Sequence, residues 1–355
     1  MSDLFQVTRG QVLAAPNVSS NPTVEKPYPV YSSQTKDNGL LGYYKDFLFK
    51  DAITWTTDGA NAGTVRYRSG PFFSTNVNGV LLSSANPANQ MVAEQLDRVA
   101  YKYVSHVGNP KLMNNVMAEI TISIPSVPEQ DKISELFIVL DELIAINQRK
   151  ADQLQRLKRA YLQQLFPTQG QTIPRLRFPG FQGEWESVAI SEIADRYDNK
   201  RVPVTADARI QGNTPYYGAN GIQDYVDGFT HDGEFILVAE DGANDLLNYP
   251  VQYVTGRIWV NNHAHVIHSK TDQSDDRFLQ FALAKVDFQP YLVGGGRAKL
   301  TAEALMQMTL RVPSKAEQSQ IAELLVYLDH IILFQTDQIN CYKSLKRAYL
   351  QQMFV

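Results

Sequence analysis

The chain has 355 residues, with 33 Lys plus Arg against 37 Asp plus Glu and a formal charge of −4 at pH 7. That length suits two domains, each burying its own core, while the single cysteine, Cys341, excludes a disulfide framework and any multi-thiolate metal site. No apolar run of about 18 residues and no basic–apolar–small leader occurs, so neither a membrane span nor an export signal is expected, and the cytoplasm is the expected location.

In chain order, residues 1–123 form the first globular segment, with 10 basic and 9 acidic side chains. FLFKDAITWTTDGANAG (47–63) reads as a buried strand running into an Asp-Gly turn. The loop YSSQTKDN places Ser32, Ser33, Gln34, Thr35 and Lys36 together, all polar types that present hydrogen-bond donors and acceptors. Arg66 and Arg68 alternate on an expected strand and so share a face. Asp58 is assigned to the turn itself, leaving Asn61 and the downstream Lys111 as contact candidates.

Residues 124–166 form a long helical region. Ser126 and Glu129 have capping-box spacing, so the helix is expected to start there. Apolar residues then follow a seven-residue rhythm, Ile133, Leu140, Leu154 and Tyr161 in one row and Leu136, Leu143 and Leu157 in the next. Asn147 and Lys150 interrupt the seam. A helix over 127–165 would be roughly 60 Å long at 1.5 Å per residue.

A Pro- and Gly-rich linker, 167–183, leads to the second globular segment, 184–311. It repeats features of the first: DGAN recurs at 241–244, and PYYGANGIQDY (215–225) resembles PVYSSQTKDNG (29–39). Two diverged copies of an α+β domain with large loops are therefore expected. Tyr217, Asn220, Arg297 and Lys299 are the matching candidates, with Asn244 beside the turn residue Asp241. GGGRAKL (294–300) sets two cations after three glycines, a shape suited to backbone approach to phosphate. In HAHVIH (263–268), His263 and His265 share a strand face. No third ligand accompanies them, so no metal is expected, and edge-strand or DNA-facing histidines are the favoured reading.

The final region, 312–355, repeats the first helix. Shifting the chain by 188 residues lays 124–166 on 312–354 without a gap, with 19 of 43 positions identical, and also sets Lys111-Leu112 on Lys299-Leu300. Ser314 and Glu317 repeat the capping spacing, and Gln335 and Gln338 repeat the polar interruption. If the helices pack antiparallel, the two interruptions meet near the middle and fix register. Both copies end alike, LKRAYLQQLF and LKRAYLQQMF, so Lys158, Arg159 and Tyr161 with Lys346, Arg347 and Tyr349 present one surface twice, related by an approximate twofold axis.

Chemistry is missing from this pattern. There is no Asp/Asn-Pro-Pro-aromatic motif with a glycine-rich cofactor turn, GGGR lacks the P-loop spacing, and no nuclease carboxylate–lysine cluster stands out. A non-catalytic chain is expected. Residues 188–311 carry 11 basic and 16 acidic side chains, so any nucleic-acid contact must be local or shared with partners.

IPSVPEQDKI and VPSKAEQSQI, the two LKRAYLQQ endings, and PRLRFPGFQGEW at the junction resemble the specificity (S) subunit of type I restriction–modification systems over nearly the whole chain. One departure is the absence of a GEW-like lead before the first domain, which begins at SDLFQVTRG. The resemblance implies two target-recognition domains, each reading half of a split site in double-stranded DNA, joined by antiparallel coiled-coil helices. It implies two docked methyltransferase (M) subunits holding S-adenosylmethionine, restriction (R) subunits using ATP and Mg²⁺, and no cofactor in this chain. The alternative from residues alone is a two-headed scaffold that binds proteins through both heads.

Overall fold

The computed structural model describes residues 1–33, 36–168, 170–294 and 298–354. It divides into two compact units, Met1–Arg149 with Thr336–Val355, and Lys150–Gln335. Among the described residues no helix is long and apolar enough to cross a membrane.

Unit 1 is built on a six-stranded sheet of β1 (Phe5–Arg9), β2 (Tyr28–Tyr31), β3 (Leu40–Tyr44), β4 (Phe49–Thr56), β5 (Val65–Ser74) and β6 (Asn78–Ser83), in the order β1-β6-β4-β5-β2-β3. Strand alternation divides central β4 between two cores. Ile53 and Trp55 pack with Met91, Val92 and Leu96 of α1 (Gln90–Ala100), while Ala52 joins Phe72 and Val80. Asn89 caps α1 by accepting the Val92 amide at 3.0 Å. After α2 (Asn114–Glu119) the chain enters the first long helix, α3 (Val127–Gln164).

Unit 2 holds β7 (Glu186–Ala189), α4 (Ile190–Ile193), β8 (Ala194–Arg196), β9 (Gln211–Gly218), β10 (Gly221–Val226), β11 (His231–Ala239), β12 (Val251–Val260) and β13 (Ala264–Ser269). There follow α5 (Asp276–Leu283), β14 (Leu292–Val293), β15 (Lys299–Leu300), α6 (Ala302–Gln307), β16 (Thr309–Val312) and the second long helix, α7 (Lys315–Met353). Its main sheet runs β8-β13-β11-β12-β9-β10, which is the unit 1 order strand for strand. Each sheet has one parallel junction, Val30 opposite Phe73 and Tyr216 opposite Trp259. The duplication therefore extends through both globular segments.

The two copies differ just before their long helices. In unit 2, β16 pairs with β7, Val312 opposite Glu186. The matching stretch before α3, residues 121–124, forms no strand, and the Met1 ammonium instead donates to the Ala118 and Ile120 carbonyls, both at 2.8 Å.

Both long helices start one residue after the expected caps, but the capping boxes are incomplete. The Glu317 amide reaches Ser314 Oγ at 3.4 Å, while its buried carboxylate turns away to a bidentate pair with Arg177 at 2.8 and 2.7 Å. Glu129 is exposed, and its amide donates to the Ser126 carbonyl at 3.0 Å. The next residue, glutamine in both copies, does more. Gln130, 1% exposed, accepts from Asn86 and Asn89 and donates to Asn86 Oδ1 and the Pro125 carbonyl. Gln318, also 1% exposed, accepts from Ser274 Oγ and the Asp275 amide and donates to the Gln273 and Pro313 carbonyls. Asn89 and Asp275 are themselves the N-caps of α1 and α5. One amide thus locks each long helix to the helix of its own domain.

The pairing is antiparallel within each unit. In unit 1, Phe354 beyond the end of α7 stacks on Phe137 at 6.1 Å, and Lys346 pairs with Asp141 at 2.7 Å. In unit 2, Leu165 and Phe166 at the end of α3 share a core with Ile321 and Leu325 near the start of α7, and Lys158 pairs with Asp329.

The seam differs from the expected register. The row of Leu140 and Leu328 is kept, yet its companion row lies one residue later, at Phe137, Ile144, Ala151 and Lys158 and at Leu325, Ile332, Ile339 and Lys346. Leu157 and Leu345, placed in the seam by the heptad rhythm, are 42% and 40% exposed. The cause is the domain, which buries the helix from one side at Gln130, Ser134 and Phe137, with Ser134 Oγ accepting the Met91 amide at 3.0 Å. Lys150 is consequently exposed and Gln338 lies beside buried Ile339. Asn147 and Gln335 stay on the retained row. Asn147 donates to the Leu143 carbonyl of its own helix at 2.7 Å, and Gln335 Oε1 is shielded without a donor among the described residues.

Replacing Gln318 by Leu leaves Ser274 Oγ and the Asp275 amide without their acceptor. We expect a loss of about 2–3 kcal/mol, read by urea denaturation of the full chain, whereas Leu157→Gln on the exposed face shifts stability by less than about 0.5 kcal/mol.

Candidate functional site

The polar residues expected to cluster in the first domain do so. Ser32, Ser33, Asn61, Arg66 and Arg68 line one cleft of about 120 Å³, together with Asn38, Thr54 and Asn78. Sequence reasoning missed these three and the further lining residues Gly39, Thr56 and Thr64, although the alternation that buries Ile53 and Trp55 turns Thr54 to the opposite face. The cleft forms where the loop after β2, the DGAN turn and the sheet face meet. Gln34 and Thr35 lie outside the described residues, and Lys36 is exposed beside the cleft loop.

The two arginines differ. Arg66 is half-exposed and pairs with Asp97 of α1 at 3.0 Å. Arg68 is 8% exposed, its Nε donating to Thr54 Oγ1 at 3.1 Å and its guanidinium stacked 3.8 Å from the Tyr31 ring centroid. Burial, with the nearby Arg66 charge, lowers its pKa to about 10 against a weaker opposing effect of Tyr31. Among the described residues no carboxylate pairs with it.

In unit 2 the charged residues serve structure. His265 is 1% exposed on β13, which is flanked by β11 and β8, so it is neither on an edge nor turned toward a ligand. Its Nδ1 lies 2.7 Å from Asp198 Oδ2 and its Nε2 2.9 Å from the Leu300 carbonyl, and because both partners accept, each ring nitrogen donates. Asp198, Glu240 and His265 bring their donor atoms within 4.8 Å of one another, so ligand-type groups do converge on this histidine. Cations already balance them. Arg201 meets Glu240 at 2.6 Å and Asp198 at 3.5 Å, Arg196 meets Asp198 at 3.6 Å, and Lys299 meets Glu240 at 2.9 Å. The cluster fastens β13, β11 and β15 together, with both carboxylates already ion-paired. His263 pairs with Asp241 at 2.6 Å.

The duplicated turns match closely. Gly59 and Gly242 both take positive φ, 92° and 70°, as the residue after Asp must in this turn. Asp58 bridges to Lys111 and Asp241 to Lys299 in the two copies, with Leu112 and Leu300 amides donating to the Thr57 and Glu240 carbonyls at 2.9 and 2.7 Å. Lys111 is also paired with Asp58 at 3.6 Å, so both lysines serve this junction. Asn220 and Asn244 come together, but the Asn220 side chain is spent on the turn, donating to the Gly242 carbonyl and accepting the Asn244 amide, both at 2.9 Å. Tyr217 is half-buried against the apolar cluster of Phe235, Val254 and Ile258. Arg297 lies outside the described residues.

The repeated helix endings are used internally. Lys158 pairs with Asp329 and sits 5.2 Å from the Phe281 ring; Lys346 pairs with Glu94 at 2.6 Å and with Asp141. Tyr161 packs against the unit 2 core, Tyr349 is half-buried, and Arg159 and Arg347 are exposed. The expectation that the whole ending faces a partner is therefore corrected: lysines falling in the seam row cannot also be the docking surface.

Comparison with known proteins follows this geometry. The family model described as type I restriction modification DNA specificity domain matches residues 1–156 and again 182–341. A Haemophilus influenzae protein assigned as a type I restriction enzyme specificity subunit is 44% identical over 146 residues, covering 41% of this chain and 37% of that protein. The Mycoplasma pneumoniae type I restriction enzyme MpnII specificity subunit is 34% identical over 146 residues, covering 40% of this chain and 43% of its own length. The chain thus spans well under half the length of these relatives. The crystal structure of a type I restriction–modification S subunit from M. genitalium superposes with a TM-score of 0.77 at 15% identity, covering 100% of this chain and 94% of that one, a likeness of fold.

The buried cluster makes stability depend on acid. Burial opposes ionisation of Asp198 and Glu240, but His265 and the Val266 amide at Asp198, and Arg201 and Lys299 at Glu240, outweigh it and hold both carboxyls below their ordinary values. Their contribution is complete above the unfolded carboxyl range, about pH 4–4.5, and is lost as pH falls through the depressed folded values. Urea midpoints should begin to fall below about pH 4.5 and keep falling as the folded carboxyls protonate at lower pH, and Asp198→Asn should be less stable at pH 7 with a shallower acid limb.

Proposed function

Because this chain belongs to the family of type I restriction modification DNA specificity proteins, we propose that it is the sequence-reading subunit of such a system. Each sheet domain reads one half of a bipartite site in double-stranded DNA, and two methyltransferase subunits, holding S-adenosylmethionine, dock on the helices and modify adenine. Restriction subunits using ATP and Mg²⁺ add cleavage. The chain itself selects the sequence and performs no bond-making step.

The observation that carries this reading is a surface presented twice. Val139 and Ile146 stand seven residues apart on the exposed face of α3, and their repeats on α7 are Tyr327 and Phe334, 63% and 58% exposed. Seven residues is two turns, so each pair shares a face. Leu345 supplements the first pair in unit 1, and its repeat Leu157 supplements the second in unit 2. Exposed apolar rows on the outer side of a paired helix mark an interaction site, and the same row in each unit fits two copies of one partner. With a net charge of −4, the chain leaves much of the phosphate neutralisation to those partners.

Light scattering of the chain co-expressed with its native methyltransferase should give two methyltransferases per chain. Changing Tyr327 and Phe334 to Ser should leave one. Two methyltransferases retained, or none bound by the wild type, would remove the docking reading.

A further inference from the structure

The sheet of unit 1 keeps a guanidinium out of water with no carboxylate beside it. Burying a cation in this way is costly, and such groups are ordinarily paired. Arg68 is held instead from one side and from beneath: Thr54 Oγ1 fixes Nε, and Tyr31 supplies both the ring under the guanidinium plane and a side-chain hydrogen bond. No carboxylate meets its two terminal nitrogens among the described residues, and the cleft they border carries hydroxyls and amides, among them Ser32, Asn38, Asn61 and Asn78, and no acid. A planar fork in this state wants two adjacent acceptors lying in one plane.

Two further observations bear on it. Asp37 and Asn38 both adopt left-handed conformations, φ 49° and 53°, and are followed by Gly39 at φ 86°; this unfavourable run brings Asn38 to the cleft wall. Consecutive non-glycine residues held there are characteristic of binding sites, where surrounding structure sustains the strain. The second is the duplicated frame. The parallel junctions, Val30 with Phe73 and Tyr216 with Trp259, set a shift of 186 residues between the sheets, which lays Arg68 on Val254. Neighbouring strands agree, since Arg68 faces Ala52 and Val254 faces Phe235. Val254 is buried in an apolar cluster with Phe235 and Ile258. One backbone position thus carries an unpaired guanidinium in one head and an isopropyl group in the other.

We propose that Arg68 is a specificity-determining residue whose fork takes the N7 and O6 acceptors of a guanine in the half-site read by unit 1, a contact unit 2 does not reproduce. This deepens the DNA-reading function proposed above and rests on it. Paired acceptors on a guanine edge fit a bidentate guanidinium, and Arg68 lines an open cleft of about 120 Å³ to which a base edge can be presented. A phosphate also offers two oxygens, but it would report affinity and not sequence.

The test is genome-wide mapping of methylated adenines in a strain expressing the full chain with its native methyltransferase, as wild type, Arg68→Lys and Arg68→Ala. Lysine keeps the charge without the fork, so Arg68→Lys decides the matter if Arg68→Ala fails to fold. Expected is a bipartite wild-type motif in which both Arg68 variants relax discrimination at one guanine of one half by roughly tenfold or more. The other half and the spacer should stay as in the wild type. An unchanged motif in the Arg68 variants, or a uniform fall in methylation at every site as loss of a phosphate contact would give, overturns the proposal and leaves DNA reading intact. A wild-type complex with no sequence preference overturns both.

Discussion

Each long helix is fixed at its start to one domain and at its end to the unit that contains the other. At the start stands a buried glutamine amide, Gln130 or Gln318, with all of its hydrogen bonds made. At the end stands an aromatic plug: Phe166 stacks on Phe278 at 5.4 Å in unit 2, and Phe354 on Phe137 at 6.1 Å in unit 1, where its carbonyl also accepts from Arg98 at 2.8 Å. Neither domain completes its core from its own repeat alone. This is why the sequence spells LKRAYLQQ twice: both endings face the same packing problem, a lysine to pair across the seam and a phenylalanine to close a core.

The division of labour in the sequence follows from that constraint. Residues that join helix to helix and helix to domain recur nearly unchanged between the copies, because the same buried contacts must form twice. The sheets keep strand order, the parallel junction and the DGAN turn, since these define the frame. What varies is what the frame displays, as at Arg68 and Val254.

Much of this architecture is legible in the residues themselves. A gap-free match with 19 of 43 positions identical shows duplication, and S-x-x-E spacing locates both helix starts. Apolar periodicity locates the helices but misjudges the second seam row by one residue, because a heptad count sees only the partner helix, whereas Ser134 and Phe137 answer to the domain. The same shift explains why Lys158 and Lys346 look like surface residues in the sequence. Strand alternation and polar composition find Ser32, Ser33, Asn61, Arg66 and Arg68 of the unit 1 cleft and miss the rest of its lining. They fail in unit 2, where Asn220, Lys299 and His265 are polar residues consumed by turns and ion pairs that distant segments supply. Asp198 is 67 residues from His265, and no local pattern joins them.

The central claim is that each sheet domain specifies its own half of a split DNA site. Replacing residues 1–123 with the corresponding domain of a related chain of different specificity, and mapping adenine methylation with the same methyltransferase, tests it directly. The account predicts a hybrid motif: one half follows the donor, while the other half and the spacing between them stay as in the parent. A motif changed in both halves, or in neither, would contradict it.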